Sequence, residues 1–249
     1  MQLSDAIRQA CTDDERHKTL LSAFNHFYGK FAEEHAFDTY IVCLSKHHPE
    51  DNDGRLSMWR GYGSNGNGAA IVFDTSKLNY NEASPLILAP VQYASTAQRH
   101  EWISKTLDGF AGLVRASDIP TEKLYLAAHA LLERIKFFAL FTKHDGFKEE
   151  EEWRVAYMPD RDREGRLRDM FHYAIGPHGV EPKLRFKMGP IEGITTNDFS
   201  LSKFIDRILL GPSLSNGLAI TAVRRMLEQN GKPELCDRIR VSSTPYRAR

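Results

Sequence analysis

Cysteine is scarce in this chain of 249 residues: Cys11, Cys43 and Cys236 are odd in number and far apart. Their spacing excludes a disulfide framework and a CxxC zinc site, and it fits a reducing cytoplasm. No apolar run approaches the roughly 20 residues of a spanning helix, so no membrane partner is expected. The start, Met1-Gln2-Leu3-Ser4-Asp5, has neither the basic opening nor the apolar stretch of a secretory signal, and export is not expected. Neither sign of charge prevails. Thirty-three Lys and Arg cancel thirty-three Asp and Glu, so no overall field draws the chain to nucleic acid. Repeats, low-complexity tracts and a convincing linker are missing too, which leaves one domain over residues 1–249 as the simplest reading.

What is present is the composition of an ordinary globular chain, 41% hydrophobic and 27% charged, and at this length a core needs no disulfide or metal to hold it. From Asp13 to about His35, Leu20, Leu21, Phe24, Phe27 and Phe31 recur at three and four, which predicts a helix within an N-terminal helical segment over residues 1–36. Strands are expected over 39–44, 69–73 and 86–93, the last confined by Pro90 to an edge or a bulge. Helices are expected over 96–114 and 121–142, then strands over 150–157, 171–175 and 180–188. The end reads as strand 206–210, a Gly211-Pro212 turn, a helix to about Gln229 capped by Ser213 or Ser215, and strand 238–241. The order predicts an α+β fold, a mixed and mostly antiparallel sheet with helices packed against it.

Two segments carry chemistry that a plain core has little use for: Ser57-Met58-Trp59-Arg60-Gly61-Tyr62-Gly63 and Phe147-Lys148-Glu149-Glu150-Glu151-Glu152-Trp153-Arg154. Each sets an indole beside a guanidinium, groups that demand partners when buried. Period-two alternation puts Glu150, Glu152 and Arg154 on one strand face and Trp153, Val155 and Tyr157 on the core side. Carboxylates about 7 Å apart on one face would raise each other's proton affinity on burial, as a general acid or base requires. The alternative is a wet strand face of Glu and Arg pairs. Gly61-x-Gly63-x-x-Gly66 spells a dinucleotide fingerprint, but a strand rather than a helix follows it, so that reading is rejected. A plain turn, or a loop whose N–H groups line an anion pocket, remains. Ser45, at a strand end, has no GxSxG elbow. His47 and His48 are adjacent and point apart on extended chain, so no metal site is expected. From Lys203 onward nine basic residues face four acidic ones, a candidate basic face, and Pro245-Tyr246-Arg247 is expected to pack back on the body.

Taken in order, Cys43-Leu44-Ser45, Met58-Trp59-x-x-Tyr62-Gly63, Gly68-x-x-Ile71-x-Phe73, Lys143-x-x-x-Phe147-x-x-Glu150-x-Glu152-Trp153-Arg154, Ile208-x-x-Gly211-Pro212 and Pro245-Tyr246-Arg247 resemble the bacterial family catalogued as domain of unknown function 2971. The resemblance covers most of the chain from about Tyr40 on. Members of that family begin with a further Tyr-rich strand and an Asn-Asp-Pro segment, so a shortened start is expected here. A serine at a strand end and a late Glu-x-Glu strand are also similar to ADP-ribosyltransferase-like enzymes. By that analogy Glu152, or Glu150, would polarise a nicotinamide ribose, Ser45 would contact the cofactor and Trp59 and Tyr62 would stack on it, while Arg60, Arg154 and Arg247 are the expected substrate contacts of an anion-binding module. The resemblance implies a cytoplasmic transferase or glycohydrolase acting on a nucleotide such as NAD, in a toxin or phage-defence setting. The competing expectation is a non-catalytic module that binds an anionic ligand or nucleic acid. A third makes Trp59, Trp153 and Arg154 a buried polar cluster that only fixes packing.

Overall fold

Asp13 opens the first long helix because its carboxylate accepts from the Arg16 N–H at 2.9 Å, satisfying a donor that the first helical turn leaves unpaired. The computed structural model describes residues 2–77, 84–177, 179–214 and 216–246. The helix runs Asp14–Asp38 and turns Leu20 and Phe24 inward against helix Leu124–Phe141, which contributes Leu124, Ala128, Leu131 and Leu132. Helix Thr96–Ala116 adds Leu107, Ala111 and Val114 and starts with a full capping box between Ser95 and Gln98. A short helix that the periodicity does not announce, Leu3–Gln9, seats Ala6 and Ile7 in the same core. Fully burying Leu20, Leu124 or Ile7 contributes about 1.5–3 kcal/mol each, enough to recruit even a two-turn helix.

The fold is α+β, built of helices and small, mostly antiparallel sheets. The residues gather into two compact units that interleave along the chain: Met1–Leu44 with Ile87–Asp160, and Ser45–Leu86 with Arg161–Arg249. In the first, strand Glu152–Tyr157 is central between Tyr40–Ser45 and Leu86–Pro90. The expected 86–93 strand breaks at Val91. Its first part ends at Pro90 on the sheet edge, where the missing N–H costs no ladder bond, and its second, Gln92–Ala94, pairs in parallel with Thr142–His144.

In the second unit, strand Ile205–Leu210 is central. Ala69–Phe73 lies antiparallel on one side and Ile239–Val241 parallel on the other. Ile205, Ile208, Leu210 and Ile239 pack with Leu227 of helix Gly217–Gln229, and with Leu235 and Cys236. The cap of that helix is Asn216, whose Oδ1 accepts from the Ala219 N–H at 2.8 Å. Ser213 instead sits in the turn Pro212–Leu214, and Ser215 lies outside the described residues. Phe171–Gly176 and Gly179–Leu184 form a hairpin, so the expected 180–188 strand stops before Arg185 and Lys187. Among the described residues no helix is long and apolar enough to cross a membrane.

Candidate functional site

Glu151 decides the geometry of the acidic segment. Its backbone is left-handed, φ 42° and ψ 52°, and it ends the helical turn Asp145–Glu150 before the strand begins at Glu152. Glu150 therefore does not share the strand with Glu152, and the alternation reads differently from expectation. Glu152 is buried at 5% exposure while Trp153, expected in the core, stands 37% exposed. Burying a carboxylate requires compensation, and the Glu152 carboxylate receives it from three donors. Arg154 Nε donates to its Oε1 at 2.7 Å, Lys143 Nζ to its Oε2 at 3.0 Å, and the Cys43 thiol donates to it as well. Its backbone N–H donates to the Tyr93 hydroxyl at 2.8 Å.

Lys143 reaches onward to Glu150 Oε2 at 2.5 Å and lies over the Phe147 ring at 4.7 Å. Arg154 is anchored again by Nη1 donating to the Leu140 carbonyl. The network holds two carboxylates and two cations, so its charge closes to zero. Burial alone would push the Glu152 carboxyl up, but the donors from Arg154, Cys43 and Lys143 outweigh it and hold the group down to about 2. The expected rise in proton affinity is overturned at Glu152, because it faces two cations. Burial and the bond to Glu152 push the Cys43 thiol up, away from the reactive thiolate. Burial works against the charged form of Lys143 too, yet its two carboxylates raise its pKa on balance.

Of the binding residues expected from sequence, Arg154 belongs to this network. Ser45, Trp59, Arg60 and Tyr62 belong to the second unit, and Arg247 lies outside the described residues. Trp59 is no stacking surface. It is buried at 4% exposure, and its indole N–H donates to the Asp53 carbonyl at 2.7 Å. Gly63 must be glycine, since a Cβ there would stand 2.7 Å from the Trp59 ring. Arg60 is exposed at the end of helix Leu56–Gly61, and Tyr62 is 69% exposed beside it. Ser45 ends its strand half-buried.

The glycine loop folds as a turn. Gly68 N–H donates to the Gly63 carbonyl at 2.8 Å, Gly66 N–H to that of Trp59 at 3.3 Å, and Gly211 N–H to that of Gly68 at 2.9 Å. The amides of Gly63, Gly66 and Gly68 thus serve the backbone, as a plain turn requires. The terminal segment packs back as expected. Ser243 donates to Asp53 Oδ1 through N–H and hydroxyl, and the Tyr246 ring lies against Gly66.

A cleft of about 380 Å³ that no motif announced opens in the second unit, lined by Pro49, Glu50, Asn52, Asp206, Arg207, Arg238 and Arg240. Arg207 builds it. Its guanidinium reaches Asp206 at 2.5 Å, Asn52 Oδ1 at 2.7 Å and the Pro49 carbonyl at 2.6 Å, fastening the loop after Ser45 to the central strand. Asp51 tightens the same loop. Burial would push its carboxyl up, but the N–H groups of Asp53 and Gly54 outweigh that and set it below the usual range. Arg238 and Arg240 are each tethered by one nitrogen only. Arg238 Nη1 donates to the carbonyls of Ser202 and Ile205, and Arg240 Nη1 to those of Asp237 and Ile239. No carboxylate among the described residues is within ion-pair distance of either. Their Nε and Nη2 edges remain for a planar, bidentate acceptor such as a carboxylate or phosphate. The trace in sequence was the basic surplus after Lys203 and the alternation Arg238-Ile239-Arg240. The strand pairing that joins them to Arg207 was not visible there.

Comparison with known proteins gives one match. The model of the family described as "Protein of unknown function (DUF2971)" fits residues 58–155. That span includes Met58-Trp59 and the whole run from Lys143 to Arg154; Cys43-Leu44-Ser45, Gly211-Pro212 and Pro245-Tyr246 fall outside it. No curated protein and no solved structure matches the chain.

Proposed function

We propose that this chain, a member of the DUF2971 family, is a binding module for an anionic ligand, held in the cleft of Arg207, Arg238 and Arg240. The observation that carries the reading is the pair Arg238 and Arg240 lining one open cleft, each keeping a guanidinium edge with no carboxylate among the described residues within ion-pair distance. Arg238 closes the helical turn Pro233–Arg238 and Arg240 lies in the strand Ile239–Val241 that follows, and both line the same cleft. Each is pre-oriented by its carbonyl tether, so little rotamer freedom remains to be lost when an anion arrives.

The nucleotide-cleaving reading asks more of Glu152 than its surroundings favour. A carboxylate that stabilises an oxocarbenium-like state must bring uncompensated negative charge to the sugar. Glu152 has that charge balanced by Arg154 and Lys143. A group held down to about 2 also cannot serve as a general acid at neutral pH.

The test is a titration with inorganic pyrophosphate, read by thermal shift and calorimetry at two salt concentrations. Binding is expected to raise the melting temperature, to weaken with salt, to survive Glu152→Gln and to vanish in Arg240→Ala. No shift with pyrophosphate at low salt, or unchanged binding in Arg240→Ala, overturns the reading. Release of nicotinamide from NAD that depends on Glu152 would restore the catalytic alternative.

A further inference from the structure

The cleft has two kinds of lining, and the second narrows what the first can hold. Besides the guanidinium groups, Glu50 and Asn52 line it, with Asp206 bonded to Arg207. Asn52 Oδ1 accepts from Arg207 at 2.7 Å, and this assigns the amide: its NH₂ is the end left for a ligand. Glu50 adds carboxylate acceptors to the same lining. A donor and an acceptor in one cleft match a hydroxyl, which gives one hydrogen bond and takes another. The guanidinium lining matches a phosphate.

We infer that the cleft takes a small phosphorylated sugar, its phosphate on Arg238 and Arg240 and its hydroxyls on Glu50 and Asn52. The inference rests on the anion-binding reading above and goes further by naming the ligand class. Nucleotides are disfavoured because no aromatic side chain lines the cleft, so a base would have no ring to stack on. Polynucleotides are disfavoured because Glu50 and Asp206 would repel a continuous run of phosphates, and because the chain carries no net charge to attract one. The volume, about 380 Å³, is near the lower end of small-molecule pockets and suits a ligand of that size.

Calorimetric titrations of the whole chain compare inorganic phosphate, glucose 6-phosphate, ribose 5-phosphate, glycerol 3-phosphate, free glucose, AMP and a short single-stranded DNA. At least one sugar phosphate is expected to bind about tenfold or more tighter than inorganic phosphate, with free glucose silent. Glu50→Gln with Asn52→Ala should bring that ratio close to one. Arg240→Lys, which keeps charge and loses the fork, should weaken both ligands. Sugar phosphates that bind no better than phosphate overturn the inference and leave the anion site standing, as does tighter binding of AMP or DNA. If no anion binds and Arg240→Ala changes nothing, both readings fall together. Because Glu50 and Arg240 are exposed and outside either core, loss of fold does not confuse the outcome, and circular dichroism of each variant verifies it.

Discussion

Glu150, Glu152, Lys143 and Arg154 in one unit and Arg207, Arg238 and Arg240 in the other use the same kinds of group, yet they are organised for opposite ends. In the first, every cation has a carboxylate at 2.5–3.0 Å and the central acid is out of water. In the second, one arginine is satisfied by its own loop while two keep an outward edge. Closed networks of this kind hold a backbone in place, and open ones leave donors to the solvent. Sequence arithmetic, which sees only the composition, cannot separate the two.

The contrast can be broken most sharply by Arg154→Ala. It strands a buried carboxylate, and urea denaturation should record a loss of about 3–5 kcal/mol. A loss below 1 kcal/mol would show that Glu152 is hydrated, and the closed description would fail. Gly63→Ala, which drives a Cβ into Trp59, comes next. Because the clash is with ring and backbone alike, a loss of about 1–3 kcal/mol is expected.

Acid sharpens the same comparison. Glu152 has a folded pKa lowered from 4.5 to about 2. Its contribution is therefore complete above the unfolded value and is lost as pH falls from about 4.5 toward 2, which amounts to about 3 kcal/mol. Denaturation midpoints across that window should fall in the wild type and fall less in Glu152→Gln; parallel curves would remove Glu152 as the cause. The smallest stability effect belongs to Arg240→Ala. An exposed side chain with no acidic partner should change stability by no more than about 0.5 kcal/mol while abolishing pyrophosphate binding. A large stability loss there would recast Arg240 as structural.

Much of the architecture was legible because helix-forming stripes such as Leu20-Phe24-Phe27 and Leu124-Ala128-Leu131 bury one face whatever else happens. Strands 40–45, 69–73 and 205–210 were legible as β-branched runs between turns. The acidic strand was misread for a definite reason. Period two assigns faces but does not say which is buried, and there the network outcompeted an indole for the interior. Nor does sequence announce a left-handed glutamate, so Glu151 was invisible as the point where Glu150 leaves the strand. The helix Leu3–Gln9 is too short to declare itself and exists because its neighbours bury Ala6 and Ile7. The arginine cleft depends on residues 31 positions apart meeting through a parallel strand pair. Local patterns carry no information about such a meeting.

The interleaving of the two units has a bearing on how the polypeptide comes to be made. The strand Tyr40–Ser45 leaves the ribosome more than a hundred residues before Glu152–Tyr157, its partner, and the second unit waits for Ile239–Val241. Closing so long a loop costs entropy and delays assembly. A nascent chain therefore carries unpaired β-edges for most of its synthesis, open to aggregation or chaperone capture. No single cut yields either unit as a contiguous fragment, and even the stretch matched by the family straddles both. Expression trials should accordingly keep residues 1–249 together, since neither trimming nor circular permutation makes either unit contiguous.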